Sequence, residues 1–448
     1  MPESILGRMD TKLGAELGAE FDLIVVGFGK AGKTIAMKRS AAGDKVALIE
    51  QSPQMYGGTC INVGCIPTKK LLFETATGKD FPDAVVARDQ LIGKLNAKNL
   101  AMAKDKGVSV IDGKATFTAS HEITVTAGSD TLVLYAPTIV INTGSTPVIP
   151  NVPGTDNPHV FDSTGIQHIS PLPKHLAIIG GGPIGLEFAT LFSGQGSKVT
   201  IIDRGELPLK NFDREVAELA KTDLEARGIT FLNNAELTGF SGDLTIVLKD
   251  HDLLADAALL AIGRRPATDG LGLEQAGIKT GTRGEVLVDA HLRTNIDGIF
   301  AVGDVNGGPQ FTYVSYDDHR IVLDQLAGPG EKSTEHRLIP TTTFIEPPLS
   351  TIGDNTEGEN VVVKKALIAD MPIVPRPKII NQPHGMVKFF VDKQSDALLG
   401  ATLYCADSQE LINTVALAMR HGVTASEFGD GIYTHPATSE IFNQLLGS

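Results

Sequence analysis

Short apolar runs that end in glycine or in an acidic residue alternate along the chain with segments of helical spacing. Residues 21–27 form one such run, residues 30–42 place apolar side chains at helical intervals, and residues 45–50 are apolar again and end in an acid. An unbroken apolar run of this length is typical of a strand buried on both faces of a parallel sheet. The pattern therefore predicts the order strand, helix, strand.

The same order returns roughly 150 residues later in the chain. Residues 176–180 and 197–203 are the apolar runs, and residues 183–194 have helical spacing between them. Repetition of a strand, helix and strand at this distance predicts two similar nucleotide-binding domains.

The rest of the chain predicts elements of other kinds. Residues 122–126 and 131–135 alternate around an Ala-Gly-Ser-Asp turn and predict a β-hairpin, and residues 299–304 predict a buried strand that returns to the first domain. After two proline-rich stretches, the pattern predicts strands at 386–392 and 398–404 and helices at 408–421 and 439–446.

These segments divide the chain into three domains and an extension. We expect an α/β protein with two Rossmann-like dinucleotide-binding domains and a C-terminal α+β domain. The predicted boundaries are a candidate disordered extension at 1–20, a first domain at 21–155 and 280–334, a second at 156–279 and a third at 335–448.

Composition and charge disfavour several classes of partner. The 448 residues include 53 acidic and 39 basic side chains, for a net charge of -14, which disfavours nucleic acid and anionic membrane surfaces. The apolar runs are shorter than a membrane span, and residues 1–20 lack the basic-then-apolar pattern of a signal peptide. We therefore expect a cytoplasmic protein, in which three cysteines cannot form a structural disulfide framework.

Gly27, Gly29 and Gly32 fit the pattern G-x-G-x-x-G between the first predicted strand and helix. In this motif the first glycine makes the turn, the second admits a pyrophosphate, and the third lets the helix approach the strand. The helix N-terminus then faces the phosphates. Glu50, at the end of the next strand, is placed to accept hydrogen bonds from a ribose. The alternative is an ordinary glycine-rich turn, but a strand, a helix and an acid in register favour dinucleotide binding.

Gly180, Gly182 and Gly185 form the second match, and Asp203 ends the strand that follows. An acid at this place accepts the 2'-hydroxyl of NAD and repels a 2'-phosphate. Arg204 comes directly after it and offsets part of that repulsion. NADH is therefore only slightly favoured over NADPH.

Cys60 and Cys65 lie five residues apart in a glycine-rich segment that runs into a helical pattern. An ideal helix would separate them by about 7.5 Å along its axis, so a disulfide demands a distorted turn. Gly57, Gly58 and Gly64 supply the freedom for that turn. The segment predicts a redox-active dithiol. The alternative is a pair of unrelated core cysteines, which act as small hydrophobic residues.

His435 precedes Glu440 by five residues, across a proline that is expected to open the last helix. His435 is a candidate general base whose tautomer Glu440 would hold. Taken alone, a surface-loop histidine before a helix-opening proline is the simpler interpretation. Taken together with the other motifs of the chain, His435 is better interpreted as a general base.

Residues 57–72, the two glycine motifs, residues 301–304 and residues 435–440 together resemble the FAD-dependent pyridine nucleotide-disulfide oxidoreductases. This is the family of glutathione reductase, lipoamide dehydrogenase and mercuric reductase. The resemblance implies FAD in the first domain, NADH or NADPH in the second, and a C-terminal dimerisation domain. It also implies a homodimer in which His435 and Glu440 reach the active site of the partner subunit.

The resemblance implies a role for each matching side chain. Cys60 would be the interchange thiol that attacks substrate, and Cys65 the thiolate that lies against the flavin as a charge-transfer donor. Lys69 would sit near the flavin N5 and pair with Glu187, and Asp304 would hold the ribityl chain. Judged from the residues alone, Lys69 and Glu187 would be an exposed helix charge pair of little energetic value.

The complete set of expected site residues contains no metal ligands. The expected catalytic residues are Cys60, Cys65, His435 and Glu440. The expected cofactor-binding residues are Gly27, Gly29, Gly32, Glu50, Gly58, Thr59, Lys69, Gly144, Gly180, Gly182, Gly185, Glu187, Asp203, Arg204, Gly263 and Asp304.

Differences between this sequence and the better-known family members narrow the range of candidate substrates. Met37 stands where glutathione reductases carry an arginine for a glutathione carboxylate, and Tyr433 replaces the first histidine of the His-x-His typical of lipoamide dehydrogenases. Residues 443–448 lack the cysteine pair of mercuric reductases. Residues 27–34, 51–58 and 310–318 instead resemble the bacterial branch linked to reactive chlorine resistance and hypothiocyanous acid reduction.

We therefore expect electrons to pass from NAD(P)H through FAD and the Cys60–Cys65 pair to a small oxidant, with hypothiocyanous acid as the leading candidate. Two alternatives stay open. One is a reductase of the glutathione-disulfide or dihydrolipoamide type, and the other is a non-catalytic flavoprotein redox sensor.

Overall fold

The computed structural model describes residues 19–447. These residues form two compact units. The first unit contains residues 19–74, 82–148 and 264–336, and the second contains residues 75–81, 149–263 and 337–447. The three predicted domain boundaries stay a prediction. Most of the predicted extension, residues 1–18, lies outside the described residues, whereas Ala19–Glu20 form a short strand.

A parallel sheet forms the centre of the first unit. Its strand order is Ile299–Ala301, Thr138–Ile141, Leu23–Val26, Val46–Glu50 and Ser109–Asp112. Every residue of Leu23–Val26 and Val46–Glu50 is buried, as the unbroken apolar runs predict. The carboxyl ends of these strands meet at one edge, where the glycine motif and Glu50 are found.

Helices and a smaller sheet complete the first unit. The helices are Lys30–Ala41, Thr59–Asn62, Cys65–Ala76, Phe81–Asp105 and Thr312–Ala327. The predicted hairpin is confirmed as Glu122–Ala127 and Asp130–Tyr135, which pair antiparallel. The helix Phe81–Asp105 has no counterpart among the sequence predictions, because polar residues interrupt its apolar positions along most of its length.

The second unit repeats the parallel arrangement. Its sheet has the order Val160–Phe161, Ala257–Leu260, His175–Ile179, Lys198–Ile202 and Ile229–Leu232. Helix Pro183–Gly194 follows the middle strand, as Lys30–Ala41 does in the first unit, and helix Arg214–Ala226 leads to the edge strand. An antiparallel sheet of Leu237–Ser241, Thr245–Leu248 and Asp252–Leu254 extends this part. Two Rossmann-like sheets are thus confirmed.

The C-terminal part of the second unit is an α+β structure, as predicted. Its antiparallel sheet has the order Thr341–Thr343, Leu349–Gly353, Leu398–Tyr404, Met386–Asp392 and Val361–Leu367. Its helices are Arg376–Ile379, Ser408–Arg420, Ala425–Gly429 and Ile441–Leu446. Pro436 does not open the last helix. The Glu440 carboxylate accepts the backbone N–H of Ala437 at 3.0 Å, and a 3-10 turn, Thr438–Glu440, precedes the helix.

Candidate active site

The first glycine motif closes around Asn142. A Cβ atom at Gly27 would lie 2.4 Å from the Asn142 carbonyl oxygen, and one at Gly29 would lie 2.5 Å from Asn142 Oδ1. The backbone N–H of Gly32 donates to Oδ1 at 2.8 Å, and Asn142 Nδ2 donates to the carbonyl of Val302 at 2.8 Å. The loop therefore has no room for side chains, and one buried amide joins three segments of the first unit.

The helix Lys30–Ala41 begins at this loop with a surface suited to an anion. Its N-cap, Gly29, is extended and contributes no side-chain acceptor of its own, while the N–H groups of Ala31 and Gly32 donate to Ser315 Oγ at 3.3 Å and Asn142 Oδ1 at 2.8 Å. Backbone N–H groups at a helix N-terminus, together with the helix dipole, favour a phosphate. The loop thus fits the pyrophosphate of a dinucleotide.

Glu50 lies beside the loop at the end of its strand. Its carboxylate accepts the backbone N–H of Phe28 at 3.0 Å and that of Ser52 at 3.2 Å. Burial raises the pKa of Glu50, and these backbone hydrogen bonds oppose the rise. A carboxylate has about four lone-pair sites, so Glu50 could also accept a ribose hydroxyl, and that contact stays a prediction.

The dithiol segment contains the break in the helix that the spacing of its cysteines requires. Cys60 lies in the short helix Thr59–Asn62 and Cys65 begins the helix Cys65–Ala76. Gly64 separates the two, and its N–H donates to the carbonyl of Thr59 at 2.7 Å. Both cysteines are thiols in this structure, and their side chains interact by a hydrogen bond. The expected distorted turn is confirmed.

The two thiols differ in burial and in their neighbours. Cys60 is half-buried and Cys65 is exposed. The hydrogen bond to Cys65 and burial both raise the pKa of Cys60, and they outweigh Thr312 and Lys33, which lower it. Cys65 lies 3.8 Å from the hydroxyl of Thr312, the first residue of the helix Thr312–Ala327, whose positive end favours an anion.

Asp304 and Gly144 lie in neighbouring segments of the first unit, and their predicted contacts with a flavin stay a prediction. Asp304 Oδ2 accepts the hydroxyl of Ser145 at 2.6 Å, and Arg264 holds Ser145 through its hydroxyl at 2.9 Å and its carbonyl at 2.7 Å. Gly144 has φ +75° and faces open space apart from Thr59, whose hydroxyl would lie 3.8 Å from a Cβ. This turn therefore neighbours the dithiol loop.

The residues of this region fit a bound FAD. The hydroxyl of Thr143 is buried and has no hydrogen-bond partner among the described residues. A buried hydroxyl without a partner is costly, so a polar group of a ligand is the natural partner. With the Gly27–Gly32 loop, the turn at Gly144 and the Asp304 carboxylate, it forms a polar lining for a dinucleotide.

Lys69 and Glu187 lie in different units. Lys69 is half-buried on the helix Cys65–Ala76, one turn after Cys65. Glu187 is buried on the helix Pro183–Gly194, and its Oε1 accepts the backbone N–H of Phe344 at 3.0 Å. The predicted ion pair between Lys69 and Glu187 stays a prediction.

The second glycine motif repeats the steric features of the first. Gly180 has φ +112°, and a Cβ there would lie 2.5 Å from the Ala261 carbonyl oxygen. Gly185 approaches the carbonyl of Gly180, where a Cβ would lie at 2.1 Å. Gly182 and Gly263 face open space, which leaves room for a phosphate and its sugar.

Asp203 binds the backbone of this second loop. Its Oδ2 accepts the N–H of Gly181 at 2.5 Å and its Oδ1 accepts that of Gly205 at 2.6 Å. Arg204 is exposed beside it. The carboxylate thus lies at the second glycine loop with a cation next to it in sequence, and its recognition of a ribose hydroxyl stays a prediction.

His435 and Glu440 form the predicted pair. His435 Nδ1 lies 2.9 Å from Glu440 Oε1, and the histidine side chain is 69% exposed. Burial would raise the pKa of Glu440, but hydrogen bonds from Ala437 and His435 outweigh it and lower that pKa. The charged Glu440 holds the proton on Nδ1 and leaves Nε2 as the proton acceptor.

Several contacts of the site escape sequence reasoning. They involve Asn142, Ser145, Arg264 and Thr312. The Asn-Thr-Gly-Ser sequence after strand Thr138–Ile141 carries one usable signal, because it follows a buried strand at the edge where ligands bind. Nothing in the local sequence identifies Arg264 or Thr312.

Comparisons with known proteins agree with this geometry. Residues 21–318 match the family described as pyridine nucleotide-disulphide oxidoreductase, and residues 339–446 match its dimerisation domain. The chain belongs to the pyridine nucleotide-disulfide oxidoreductase family. Membership confirms the resemblance, the oxidoreductase class, the use of FAD and a pyridine nucleotide, and the C-terminal dimerisation domain.

Relatives within the pyridine nucleotide-disulfide oxidoreductase family match over most of their length. The probable pyridine nucleotide-disulfide oxidoreductase RclA of Escherichia coli (strain K12) is 42% identical over 95% of this chain and 99% of its own. A mercuric reductase of Staphylococcus aureus is 30% identical over 94% of this chain and 81% of its own. The Cu(II) complex of the HOCl-induced flavoprotein disulfide reductase RclA from Escherichia coli matches with a TM-score of 0.93 and 42% identity, over 96% and 99% of the two chains.

No helix within residues 19–447 is long and apolar enough to cross a membrane. The same range contains no group of three or more His, Cys, Asp or Glu side chains that could hold a metal ion.

Proposed function

We propose that this chain is a flavoprotein dithiol reductase that passes electrons from NAD(P)H to hypothiocyanous acid. The observation that carries the proposal is the unequal pair of thiols, in which half-buried Cys60 is hydrogen-bonded to Cys65 and exposed Cys65 lies beside Thr312. Such a pair separates the attacking sulfur from the resolving sulfur. An Escherichia coli relative described as HOCl-induced supports an oxidant as substrate.

Each cofactor has a proposed set of binding residues. The Gly27–Gly32 loop would hold the pyrophosphate of FAD, Glu50 its ribose and Asp304 its ribityl chain. When bound, FAD supplies the two-electron chemistry that links the nicotinamide to the dithiol. The loop of Gly180 to Gly185 would hold the nicotinamide nucleotide. We assign FAD to residues 21–155 and 280–334, and the nicotinamide nucleotide to residues 156–279.

In the proposed reaction the attack by Cys60 begins with loss of its proton. His435 of the partner subunit would take that proton on Nε2, because Glu440 holds the proton on Nδ1. This arrangement requires a homodimer formed through residues 335–448, which include the matched dimerisation domain. Cys65, which lies beside Thr312, would then attack as a thiolate and resolve the adduct on Cys60.

The proposed substrate is small and carries no glutathione carboxylate. Met37 is half-buried on the helix Lys30–Ala41 and packs against the apolar core of the first unit. A thioether cannot pair with a carboxylate. This contact supports a small oxidant over glutathione disulfide.

We also propose NADH as the preferred nicotinamide and the cytoplasm as the compartment. Asp203 would accept the ribose hydroxyls of NADH, and its charge would repel a 2'-phosphate, although Arg204 weakens that repulsion. A dithiol that must return to the reduced state suits a reducing compartment.

Steady-state turnover tests the substrate assignment. The purified flavoprotein is supplied with NADH or NADPH and, in separate reactions, with hypothiocyanous acid, glutathione disulfide, lipoamide or Cu(II). We expect repeated turnover with hypothiocyanous acid and a higher kcat/KM with NADH. Robust turnover of glutathione disulfide would overturn the substrate assignment, and a single turnover with every oxidant would indicate a redox sensor instead.

A further inference from the structure

Lys33 is a buried lysine on the face of its helix that meets the dithiol loop. It is 5% exposed and lies one turn after Gly29, so the two residues share a face of the helix Lys30–Ala41. Gly58 packs on that face, where a Cβ at position 58 would lie 2.8 Å from the Cα of Gly29. Cys60 follows Gly58 by two residues. The backbone packing therefore directs Lys33 toward the attacking thiol.

Asn99 fixes the lysine in this place. Lys33 Nζ donates to Asn99 Oδ1, and Asn99 Nδ2 donates to the carbonyl of Leu95 at 2.7 Å. A Cβ at Gly57 would lie 3.2 Å from Asn99 Cγ, so Asn99 also contacts the start of the dithiol loop. One amide thus joins the lysine to the loop that carries Cys60.

The charge on Lys33 has a neutral hydrogen-bond partner. Buried lysines are ordinarily paired with carboxylates, which cancel their charge locally. Here the partner is an amide, and burial and the neighbouring Lys30 lower the pKa of Lys33 to about 8, while Cys60 acts in the opposite direction. The ammonium can therefore act on an anion at Cys60.

We propose that Lys33 is a specificity-determining residue that attracts a small anion to the sulfur of Cys60. The anion class is the pseudohalide, with thiocyanate and hypothiocyanite as its members, and in this respect the inference depends on the proposed function. A small anion does not need the arginine or carboxylate side chains that would bind the charged groups of a peptide disulfide.

Thiocyanate is released in the second of two proposed steps. The Cys60 thiolate attacks the sulfur of hypothiocyanous acid, so that an S–S bond forms, the S–O bond breaks, and the departing hydroxide takes a proton to become water. The Cys65 thiolate then attacks the Cys60 sulfur and releases thiocyanate. The dithiol loses two electrons, and the oxidant gains them. Lys33 stabilises the thiocyanate that leaves beside it.

Alkylation of Cys60 tests whether Lys33 places a positive charge beside the sulfur, and the test needs no oxidant. In the FAD-loaded Cys65→Ser protein Cys60 is the reacting thiol, since Cys405 is fully buried. The measured quantity is the ratio of two second-order rate constants for alkylation of Cys60, that with anionic iodoacetate divided by that with neutral iodoacetamide. A change in thiolate fraction or in access alters both rates, whereas a charge beside the sulfur alters their ratio.

We expect Lys33→Met to lower this ratio about tenfold and Lys33→Arg to restore it. Lys38→Met is the matched control, because Lys38 is exposed on the same helix and contacts His319 at 3.4 Å. An unchanged ratio in Lys33→Met, or an equal loss in Lys38→Met, would overturn the proposal. FAD absorbance confirms that each variant is folded.

The two proposals can fail separately. If the ratio depends on Lys33 but hypothiocyanous acid is not turned over, Lys33 attracts anions and the substrate assignment is wrong. If hypothiocyanous acid is turned over and the ratio does not depend on Lys33, the reductase assignment stands and the role of Lys33 is overturned. If both proposals are correct, added thiocyanate should inhibit the Lys33→Met variant less than it inhibits the protein with Lys33.

Discussion

The side-chain amide of Asn142 accepts the backbone N–H of Gly32 at 2.8 Å, across 110 residues of sequence. The same amide donates to the carbonyl of Val302. Because Asn142 is 5% exposed, each of these bonds satisfies a polar group that water does not reach. The glycine loop therefore depends on a side chain that belongs to no part of the glycine motif.

Replacing Asn142 by leucine should destabilise the loop and weaken FAD binding. The change leaves a buried N–H and a buried carbonyl without partners, at a cost of about 1–3 kcal/mol for each. The ratio of FAD absorbance to protein absorbance after purification, together with the thermal midpoint, measures the effect. Asn413→Ala is the control, since Asn413 is exposed and bonds only within its own helix. Full FAD content in Asn142→Leu would contradict this role.

Substituting each cysteine in turn should distinguish their roles. The two-electron-reduced enzyme is expected to show a long-wavelength absorbance band that requires the Cys65 thiolate, because the proposed role of Cys65 is that of charge-transfer donor to the flavin. Cys60→Ser should keep the band and lose substrate reduction. Cys65→Ser should lose the band. The two variants are controls for each other, and a band that persists in Cys65→Ser would show that the roles are reversed.

His435→Gln should slow oxidation of the dithiol by substrate about 10²–10⁴-fold, the usual effect of removing a general base. Reduction of the dithiol by NADH should change little, since that half-reaction does not use the base. Stopped-flow measurement of the two half-reactions separates them. His421→Gln serves as the control, because His421 is exposed and lies elsewhere in the C-terminal part. Equal slowing of both half-reactions would argue against a proton-transfer role.

The ratio of the iodoacetate rate to the iodoacetamide rate at Cys60 should fall as pH rises through about 8. Lys33 is cationic below its pKa, which burial and Lys30 lower to about 8, and it is neutral above that value. Both reagents need the thiolate, so their ratio cancels the titration of Cys60. In Lys33→Arg the ratio should stay constant over this range, because guanidinium remains charged. A constant ratio in the protein with Lys33 would overturn this assignment.

Lys388→Met should destabilise the second unit by about 3–5 kcal/mol, since it leaves a buried carboxylate without its cation. The Lys388 side chain is 2% exposed and donates to Asp213 at 2.7 Å and Glu215 at 3.1 Å. Burial would lower the pKa of Lys388, but these carboxylates outweigh it and raise that pKa.

The urea midpoint of the holoenzyme measures the loss in Lys388→Met. Lys365→Met is the matched control, because Lys365 binds the same Glu215 at 2.8 Å but is 47% exposed, and such pairs contribute about 1 kcal/mol or less. Equal shifts in the two variants would show that burial does not govern the effect.

The sequence by itself determined the features that depend on neighbours along the chain. The buried strands Leu23–Val26 and Lys198–Ile202 follow from their unbroken apolar runs. The turns at Gly27 and Gly180 follow from the close backbone approach that only glycine allows. The dithiol spacing and the His435–Glu440 pair are equally local.

Only the tertiary structure decided which charges and amides surround those motifs. Asn99, on a helix that the sequence did not predict, reaches Lys33 across 66 residues, and Thr312 reaches Cys65 across 247. Thr312 and Lys33 both act to lower the pKa of Cys60. Desolvation and Coulomb interaction act through space, so the chain order that reveals a motif carries no information on the pKa of its side chains.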